Sequence, residues 1–206
     1  MWLAIIVTVL VGYLLGNLNG AVCMSNLVAH EDVRSHGSGN AGLTNFIRNY
    51  GAAKSISVIA LDGGKAALAC LAGGLMLAPY GMYTEGTAIG GLAVMLGHDF
   101  PALLGFRGGK GILSGWFIAW MIDWRVGLLI AIVFFGIYFL THLVSLGSVM
   151  AAATFAVGFA IFHWDNPYVV AGCVFMGVLT IFQHRANIVR LIKKQEKKVD
   201  LFKLGK

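Results

Sequence analysis

Two glycine-rich, basic segments of this chain have residue types that suit the binding of phosphate. The more compact one, Gly105–Gly111, reads GFRGGKG and follows the segment GHDFP at 97–101. Glycines let the backbone turn tightly and point successive N–H groups at an anion, while Arg and Lys supply the countercharge. We interpret it as a phosphate-binding turn between two apolar segments at a membrane surface, a setting that suits lipid chemistry. The alternative is a solvated loop whose positive charge only reflects membrane topology.

The second segment, at 31–48, reads EDVRSHGSGNAGLTNFIR. Small polar residues alternate with glycines, and Thr44 and Arg48 then follow at a spacing that places them on one face of a helix. This pattern is typical of an anion-binding turn that leads into a helix N-terminus, where free N–H groups and the helix dipole favour phosphate. The alternative is a flexible loop in which Ser38 or Thr44 is a helix N-cap.

A third polar segment, FQHRANIVR at 182–190, follows the last long apolar stretch. His184 and Asn187 are three residues apart and would face the same way on a helix. His184 can act as a general base or donate a hydrogen bond to phosphate. The alternative is that His184 and Arg185 together cap the helix at the membrane interface.

Polar residues also stand inside or beside the apolar segments. Asp62 and Lys65 lie three apart on one helical face, and because charges are costly in lipid we expect both to face the protein interior. Pairing with each other is the preferred interpretation, and the alternative is that Lys65 binds a substrate phosphate. Ser145 lies where an apolar helix begins, and an N-cap is preferred there to a ligand contact.

Several classes of site are disfavoured. Gly108–Gly111 does not match the nucleotide-binding pattern GxxxxGK[ST], and no strand precedes it. His30, His36 and His142 have no Cys or carboxylate neighbours at metal-ligand spacing, so we predict neither a metal nor a cofactor. The sequence also lacks an evident Ser–His–Asp or Cys–His set and any His-x-x-x-x-Asp sequence. An acyl-transfer enzyme built this way has no obvious nucleophile, and its acyl donor would have to arrive already activated.

The elements that position these segments follow from composition. The chain has 206 residues, a mean hydropathy of +0.80, 12% charged residues and 28 glycines. These values predict an all-α polytopic membrane protein rather than a soluble domain. A net charge of +6 could indicate nucleic acid or anionic lipid as a partner. Because the charges flank apolar segments, we predict contact with membrane lipids and no nucleic-acid partner.

Seven uncharged stretches predict about seven transmembrane helices in a single domain over 1–206. A spanning helix needs about 20 apolar residues, so the stretches at 86–97 and 111–122 are short. The second helix can begin earlier, near Ser55. The stretches run over 2–29, 66–84, 86–97, 111–122, 126–141, 143–162 and 166–183.

The positive charges predict the orientation. With the N-terminus outside, Arg125 is the single one of the 15 Lys and Arg residues on the outer side, which agrees with the positive-inside rule. The C-terminus and all three polar segments then face the cytoplasm. Lys193–Lys198 is interpreted as a solvated basic tail near anionic headgroups.

Taken together, the segments GSGNAGLTNFIR, GHDFPALLGFRGGKG and HRANIVRL resemble the three motifs of the bacterial acyl-phosphate:glycerol-3-phosphate acyltransferases, the PlsY family. The similarity covers nearly the whole chain. It implies an enzyme of the bacterial inner membrane, monomeric, that moves a fatty acyl group from acyl phosphate to the 1-hydroxyl of glycerol 3-phosphate. The products are lysophosphatidic acid and phosphate, with no covalent enzyme intermediate. The donor's own phosphate would accept the hydroxyl proton, and the competing idea is that His184 is the general base.

The resemblance also implies residue roles. Ser38, Arg48, Lys110 and His184 are the implied catalytic residues, with Lys110 and Arg48 as charge partners of phosphate. The residues implied to bind substrate or phosphate are Gly37, Gly39, Asn40, Thr44, Asn45, His98, Gly108, Gly109, Gly111, Ser145 and Asn187. Asp62, Lys65 and Arg185 are implied as supporting residues.

Three departures from the family pattern bear on this prediction. Ala186 replaces the Glu of HREN, Asn17 and Asn19 stand where GSxP is usual, and Ala66 follows Lys65 where the family has Gly. They leave open a paralogue with another acceptor, a non-catalytic membrane scaffold, or a transporter of a phosphorylated metabolite. Inverted repeats and charged residues deep within several helices would favour a transporter, and neither feature is clear in the sequence.

Overall fold

The computed structural model describes residues 1–202, and these form helices, short 3₁₀ turns and loops with no strand. The predicted all-helical architecture is confirmed for this part of the chain. The helices are α1 (Trp2–Asn17), α2 (Gly20–Ala29), α3 (Leu43–Tyr50), α4 (Ala52–Leu77), α5 (Tyr83–Asp99), α6 (Ile112–Ile122), α7 (Trp124–Thr141), α8 (Val144–Phe162), α9 (Pro167–Gln183) and α10 (Arg185–Ile192).

Within the described residues, five helical segments are long and apolar enough to cross a membrane, and a bent α9–α10 pair would make a sixth. The five are Trp2–Ala29, Ala52–Tyr80, Tyr83–Leu104, Trp124–Thr141 and Val144–Phe162. Helix α6 is apolar but has only 11 residues, as the short stretch 111–122 predicts. The count of seven crossings and the orientation of the termini stay predictions.

Helix boundaries correct one expectation and confirm another. The stretch 86–97 is not short, because α5 begins at Tyr83 and continues through a 3₁₀ turn to Leu104, 22 residues in all. Glu85, in the first turn of this helix, is tolerated because its carboxylate accepts a hydrogen bond from Asn166 across the bundle at 2.8 Å. The second helix does begin early, at Ala52, so it carries both Asp62 and Lys65.

The stretch 2–29 is interrupted where α1 ends and α2 begins, at Leu18 and Asn19. Asn19 caps α2, because its side chain accepts from the Val22 N–H at 3.0 Å, and it donates to the Ala41 carbonyl at 2.9 Å. Asn17 accepts from the Leu103 N–H at 3.1 Å. These two departures from the family pattern therefore attach the break in the first span to both glycine-rich loops.

Glycines set the close approach of α1, α4 and α5. A Cβ on Gly97 would lie 2.2 Å from the Tyr13 carbonyl oxygen, and one on Gly90 would lie 2.2 Å from that of Ala69. Small residues at such contacts let membrane helices associate through their backbones. The main apolar core lies alongside, between α4, α5, α6, α7, α8 and α9. The ends of α5 and α9 that carry the motifs are thus held on a rigid bundle.

Candidate active site at the loop ends of the bundle

The first glycine-rich loop is organised around Asn45 of α3. Its amide donates to the carbonyls of Val33, His36 and Asn40 at 3.0 to 3.1 Å, and its Oδ1 accepts from the Ser38 N–H at 2.9 Å. The residue is 2% exposed. Asn45 is therefore corrected from a substrate contact to the organiser of the loop, because its hydrogen-bonding capacity is already used.

The remaining residues of this loop present their side chains outward. Ser38 and Arg48 are exposed, Asn40 and Thr44 are half-buried, and α3 gives Arg48 the helical position expected. Gly37 and Gly39 adopt φ of +61° and +71°, values that favour glycine, and they turn the chain into the helix. The alternative N-cap at Ser38 or Thr44 is wrong, since α3 begins after Gly42 without a side-chain cap.

Arg34, which sequence analysis missed, ties this loop to the second one. Its Nη1 donates to the carbonyls of Leu104 at 2.9 Å and Arg107 at 3.0 Å. Asp32 holds the same guanidinium, with 2.7 Å between Arg34 Nη2 and Asp32 Oδ2. The Asp32-x-Arg34 spacing was the available signal, but its partners are carbonyls 70 and 73 residues away. Arg34 thereby fixes the distance between the two loops.

The second loop folds back onto the end of α5. The Gly108 N–H donates to the Asp99 carbonyl at 3.2 Å, and the Gly109 N–H donates to the His98 carbonyl at 3.0 Å. A Cβ would lie 2.0 Å from the His98 carbonyl oxygen at Gly108 and 2.0 Å from its Nε2 at Gly109. The expectation that these two N–H groups bind phosphate is corrected, because α5 already accepts them and the glycines serve close packing.

Gly111 differs from the two glycines before it. It has a φ of +75° and is the N-cap of α6, so the first N–H groups of that helix follow it directly. A phosphate contact of Gly111 through this helix N-terminus stays a prediction. The side chain of the neighbouring Lys110 is half-buried and projects toward the third motif.

Below the second loop lies a buried polar cluster of Asp62, Lys65 and His98. Lys65 Nζ lies 2.8 Å from Asp62 Oδ1 and 2.9 Å from His98 Nδ1, and it donates to the Leu18 carbonyl at 2.7 Å. The predicted Asp62–Lys65 pair is confirmed. His98 is corrected from a substrate contact to a support: it is 4% exposed, and its ring lies between Lys65 and Gly109.

Lys110 meets the third motif directly. Its Nζ donates to Asn187 Oδ1 at 2.5 Å, across 77 residues of sequence. Burial, together with the charges of Arg190, Arg185 and Arg48, lowers the pKa of Lys110 to about 8, and Glu196 opposes this shift. The structure thus concentrates positive charge around one lysine, which is the electrostatic setting that an anionic ligand needs.

His184 is buried at the junction of α9 and α10, where the two helices meet at 56°. Its Nδ1 lies 2.8 Å from the Thr180 carbonyl oxygen, so Nδ1 carries the proton and Nε2 is the nitrogen left for chemistry. Arg185 instead lies over the Phe182 ring and donates to the Phe182 carbonyl on the exposed surface. The His184–Arg185 capping alternative therefore has support from both residues, because His184 is the C-cap of α9 and each side chain bonds a carbonyl at the end of that helix.

Ser145 and Asp99 hold buried polar atoms without a hydrogen-bond partner among residues 1–202. The favoured N-cap role of Ser145 is wrong, because Leu143 is the N-cap of α8. Buried polar groups are nearly always satisfied, so an unpartnered hydroxyl near α10 fits a ligand contact. Ala186 is exposed. Among the described residues, no group of three His, Cys, Asp or Glu is placed to hold a metal ion.

Sequence analysis also missed the role of Glu196, which lies in the tail interpreted as solvated. Its side chain is 8% exposed, and it accepts from Asn187 and Arg190. It is the one acidic residue in the basic run 193–198, which was the available signal.

Comparison with known proteins identifies relatives of this arrangement. Residues 6–194 match the family model described as glycerol-3-phosphate acyltransferase. A glycerol-3-phosphate acyltransferase of Thermoanaerobacter sp. (strain X514) is 37% identical over 194 residues, which are 94% of this chain and 95% of the relative. One of Shouchella clausii is 36% identical over 204 residues, 97% of this chain and 98% of the relative.

Two solved structures share the fold. The glycerol 3-phosphate form of PlsY (YgiH), described as an integral membrane glycerol 3-phosphate acyltransferase, gives a TM-score of 0.86 at 30% identity and covers 95% of this chain and 96% of that one. Its lysophosphatidic acid form gives 0.83 at 28% identity and covers 97% of both chains.

Proposed function

The chain belongs to the glycerol-3-phosphate acyltransferase family, and from this premise we propose that it acylates the 1-hydroxyl of glycerol 3-phosphate with acyl phosphate as donor. The products are lysophosphatidic acid and inorganic phosphate. The observation that carries the proposal is the convergence of Lys110 and Asn187, 2.5 Å apart, within reach of the charges of Arg48, Arg185 and Arg190. Such a cluster suits a reaction in which both substrates carry a phosphate.

The reacting bonds follow from the chemistry of the donor. The C1 hydroxyl oxygen of the acceptor attacks the acyl carbon, a new C–O ester bond forms, and the bond between the acyl carbon and the phosphate oxygen breaks. The hydroxyl proton passes to an oxygen of the departing phosphate. Because a mixed anhydride has a good leaving group, no covalent enzyme intermediate is needed, and orientation and charge stabilisation supply the catalysis.

The residues around Lys110 support this scheme. Lys110 and Arg48 are proposed as the charge partners of phosphate. Because Nδ1 of His184 carries the proton, Nε2 is proposed to accept a hydrogen bond from a glycerol hydroxyl rather than to donate to phosphate, or, in the competing version, to act as the general base. Ser145 supplies a buried hydroxyl beside the Glu196 carboxylate, without a well-formed hydrogen bond among residues 1–202. Substrate contacts are also proposed for Ser38, Thr44, Asn187, Gly111 and the loop residues Gly37, Gly39 and Asn40.

The proposed setting is the bacterial inner membrane, with the site facing the cytoplasm and the protein acting as a monomer. The family membership and the apolar helices support a multi-pass membrane protein. The segments that carry the cationic residues are joined by the hydrogen bonds of Arg34 and Lys110. A phosphorylated acceptor would reach them from water, while the acyl chain stays in lipid.

The test uses purified protein in detergent with palmitoyl phosphate, with and without glycerol 3-phosphate. We expect phosphate release that depends on the acceptor, matched by lysophosphatidic acid. Palmitoyl coenzyme A in place of palmitoyl phosphate should give no product. Lys110→Gln is the matched variant and should lose most of the activity while it stays folded. Phosphate release that does not depend on glycerol 3-phosphate would contradict the proposed acceptor. Acyl transfer from palmitoyl coenzyme A but not from palmitoyl phosphate would contradict the proposed donor.

A further inference from the structure

The chain after α10 folds back along the protein as a strap, residues 193–202. The Val199 N–H donates to the His142 carbonyl at 3.1 Å, and the Leu201 N–H donates to the Tyr138 hydroxyl at 2.9 Å. Val199 is 8% exposed and packs with Tyr138 and Val144. The strap is therefore attached to α7 and the start of α8 rather than free in solvent.

This attachment brings Glu196 to the third motif. Its Oε1 accepts from Asn187 Nδ2 at 2.8 Å, and its Oε2 accepts from Arg190 Nε at 2.5 Å. Because the carboxylate is nearly buried while Arg190 is 41% exposed, the pair is shielded from solvent mainly on the Glu196 side. Such charge-assisted bonds are stronger than neutral ones.

The Asn187 amide lies between a hydrogen-bond donor and a hydrogen-bond acceptor. Lys110 is a donor with no acceptor, and the Glu196 carboxylate is an acceptor with no donor. The amide can satisfy both only with Oδ1 toward Lys110 and Nδ2 toward Glu196, which is the arrangement observed. Turning the amide over would place a donor against a donor and an acceptor against an acceptor.

We propose that Glu196 is a positioning residue of the active site, which acts through Asn187 to hold the Lys110 ammonium where it meets substrate phosphate. The inference rests on the proposed function and extends it, because it makes the strap a part of the site. Glu196 does not contact the substrate in this scheme. Its removal frees the amide and leaves Lys110 without a fixed partner.

Charge supports the same role. The charged and titratable groups that face Lys110 are Arg48 of α3, Arg185 and Arg190 of α10, His184 at the α9–α10 junction, and Glu196 of the strap. Of these, Glu196 is the one that raises the pKa of Lys110. Without its charge, Lys110 would lose its proton at a lower pH.

The experiment compares wild type, Glu196→Gln, Asn187→Ala and the double variant in acyl transfer from palmitoyl phosphate, across pH. We expect Glu196→Gln to lower kcat/KM about tenfold, the loss that one hydrogen bond to a charged group corresponds to. The alkaline limb of its pH profile should move to lower pH. In the Asn187→Ala background, at a pH below the alkaline limb, the same substitution should have no further effect on kcat/KM, because the residue through which Glu196 acts is gone.

Asp200→Asn is the matched control, since Asp200 is an exposed carboxylate of the same strap whose side chain only accepts from the Phe202 N–H. It should match wild type in rate and pH profile. Glu196→Asp keeps the charge with a shorter reach, so it should restore the wild-type alkaline limb while kcat/KM stays reduced. That variant decides the question even if Glu196→Gln folds poorly.

Three results would overturn the inference. The first is wild-type kcat/KM and pH profile in Glu196→Gln, and the second is a double variant whose loss of kcat/KM equals the product of the two single losses. The third is tighter substrate binding by Glu196→Gln, which is expected if the Glu196 carboxylate competes with phosphate. Binding is read separately from the rise in thermal midpoint with glycerol 3-phosphate and with inorganic phosphate. A wild-type protein that binds both but transfers no acyl group would contradict the proposed function. The positioning role would then stand if Glu196→Gln weakens binding about tenfold, and fall if it does not.

Discussion

Lys110 and Asn187 are joined by a hydrogen bond of 2.5 Å between the lysine Nζ and the asparagine Oδ1. The bond connects the glycine-rich loop before α6 with α10, so it links two of the three polar segments that the sequence separates by 77 residues. Through Arg34, the first segment is attached to the same loop. The three segments thus form one connected assembly around Lys110.

The pH dependence of activity should report the ionisation of Lys110. Burial first, and then Arg190, lowers the pKa of Lys110 to about 8. A lysine is charged below its pKa, so the ammonium that binds phosphate is present at neutral pH and is lost as pH rises through about 8. We expect kcat/KM to fall on the alkaline side with that midpoint, measured as initial rates from about pH 6 to 10.

Lys110→Arg separates this ionisation from others. A guanidinium keeps its charge over the whole range, so the alkaline limb should disappear even if the maximal rate drops. Lys193→Gln, which removes an exposed lysine, should leave the limb in place. An alkaline limb that persists unchanged in Lys110→Arg would assign it to another group.

Arg34→Ala should lower activity although Arg34 is outside the three motifs. The substitution removes the donors to the Leu104 and Arg107 carbonyls, so the second loop loses its attachment to the first. A shift of about 1 Å in a positioning element can cost about a hundredfold in rate, and we expect a loss of at least tenfold. Arg107→Ala removes a guanidinium from the same loop but keeps both accepting carbonyls. Equal losses in the two variants would mean that charge, rather than attachment, is responsible.

The sequence predicted the helices well because burial in lipid requires long apolar stretches, and charge marks their ends. Helix α4 illustrates this, since the expectation of an early start near Ser55 agrees with its start at Ala52. The 3.6-residue period also placed Asp62 beside Lys65 and His184 near Asn187. Features that depend only on the spacing of nearby residues could therefore be predicted from the sequence.

Hydrogen bonds between loops could not be predicted from the sequence in this way. Asn45 fits a phosphate motif as well as a loop organiser, and only the folded loop shows its amide bonded to three carbonyls. The Gly109 N–H is likewise engaged by the end of α5. Glu196 lies in a basic run that reads as solvated, and its burial depends on the packing of Val199 against α7. Each error assigned to a ligand or to water a group that the protein itself satisfies.

Removing one member of the buried Asp62–Lys65 pair should destabilise the protein strongly. Lys65→Met leaves the Asp62 carboxylate, 1% exposed, without its nearest cation. Breaking a buried ion pair in this way costs about 3 to 5 kcal/mol, read as a lower thermal midpoint in detergent. Asp62→Asn/Lys65→Met should cost less than the sum of the single changes, because no unpaired charge remains. Lys54→Met, on the exposed surface of the same helix, is the control and should be near neutral.

Ser145→Ala should separate a ligand contact from a structural one. The Ser145 hydroxyl is buried beside the Glu196 carboxylate without a well-formed hydrogen bond among residues 1–202, so its removal should leave the thermal midpoint nearly unchanged. If the hydroxyl meets substrate phosphate, kcat/KM should fall about tenfold, and the stabilisation by added inorganic phosphate should weaken. Ser148→Ala is the matched control three residues along α8, where the hydroxyl donates to the Val144 carbonyl at 2.9 Å within the helix. A loss of stability in Ser145→Ala without a loss of activity would assign the hydroxyl to the fold and remove it from the site.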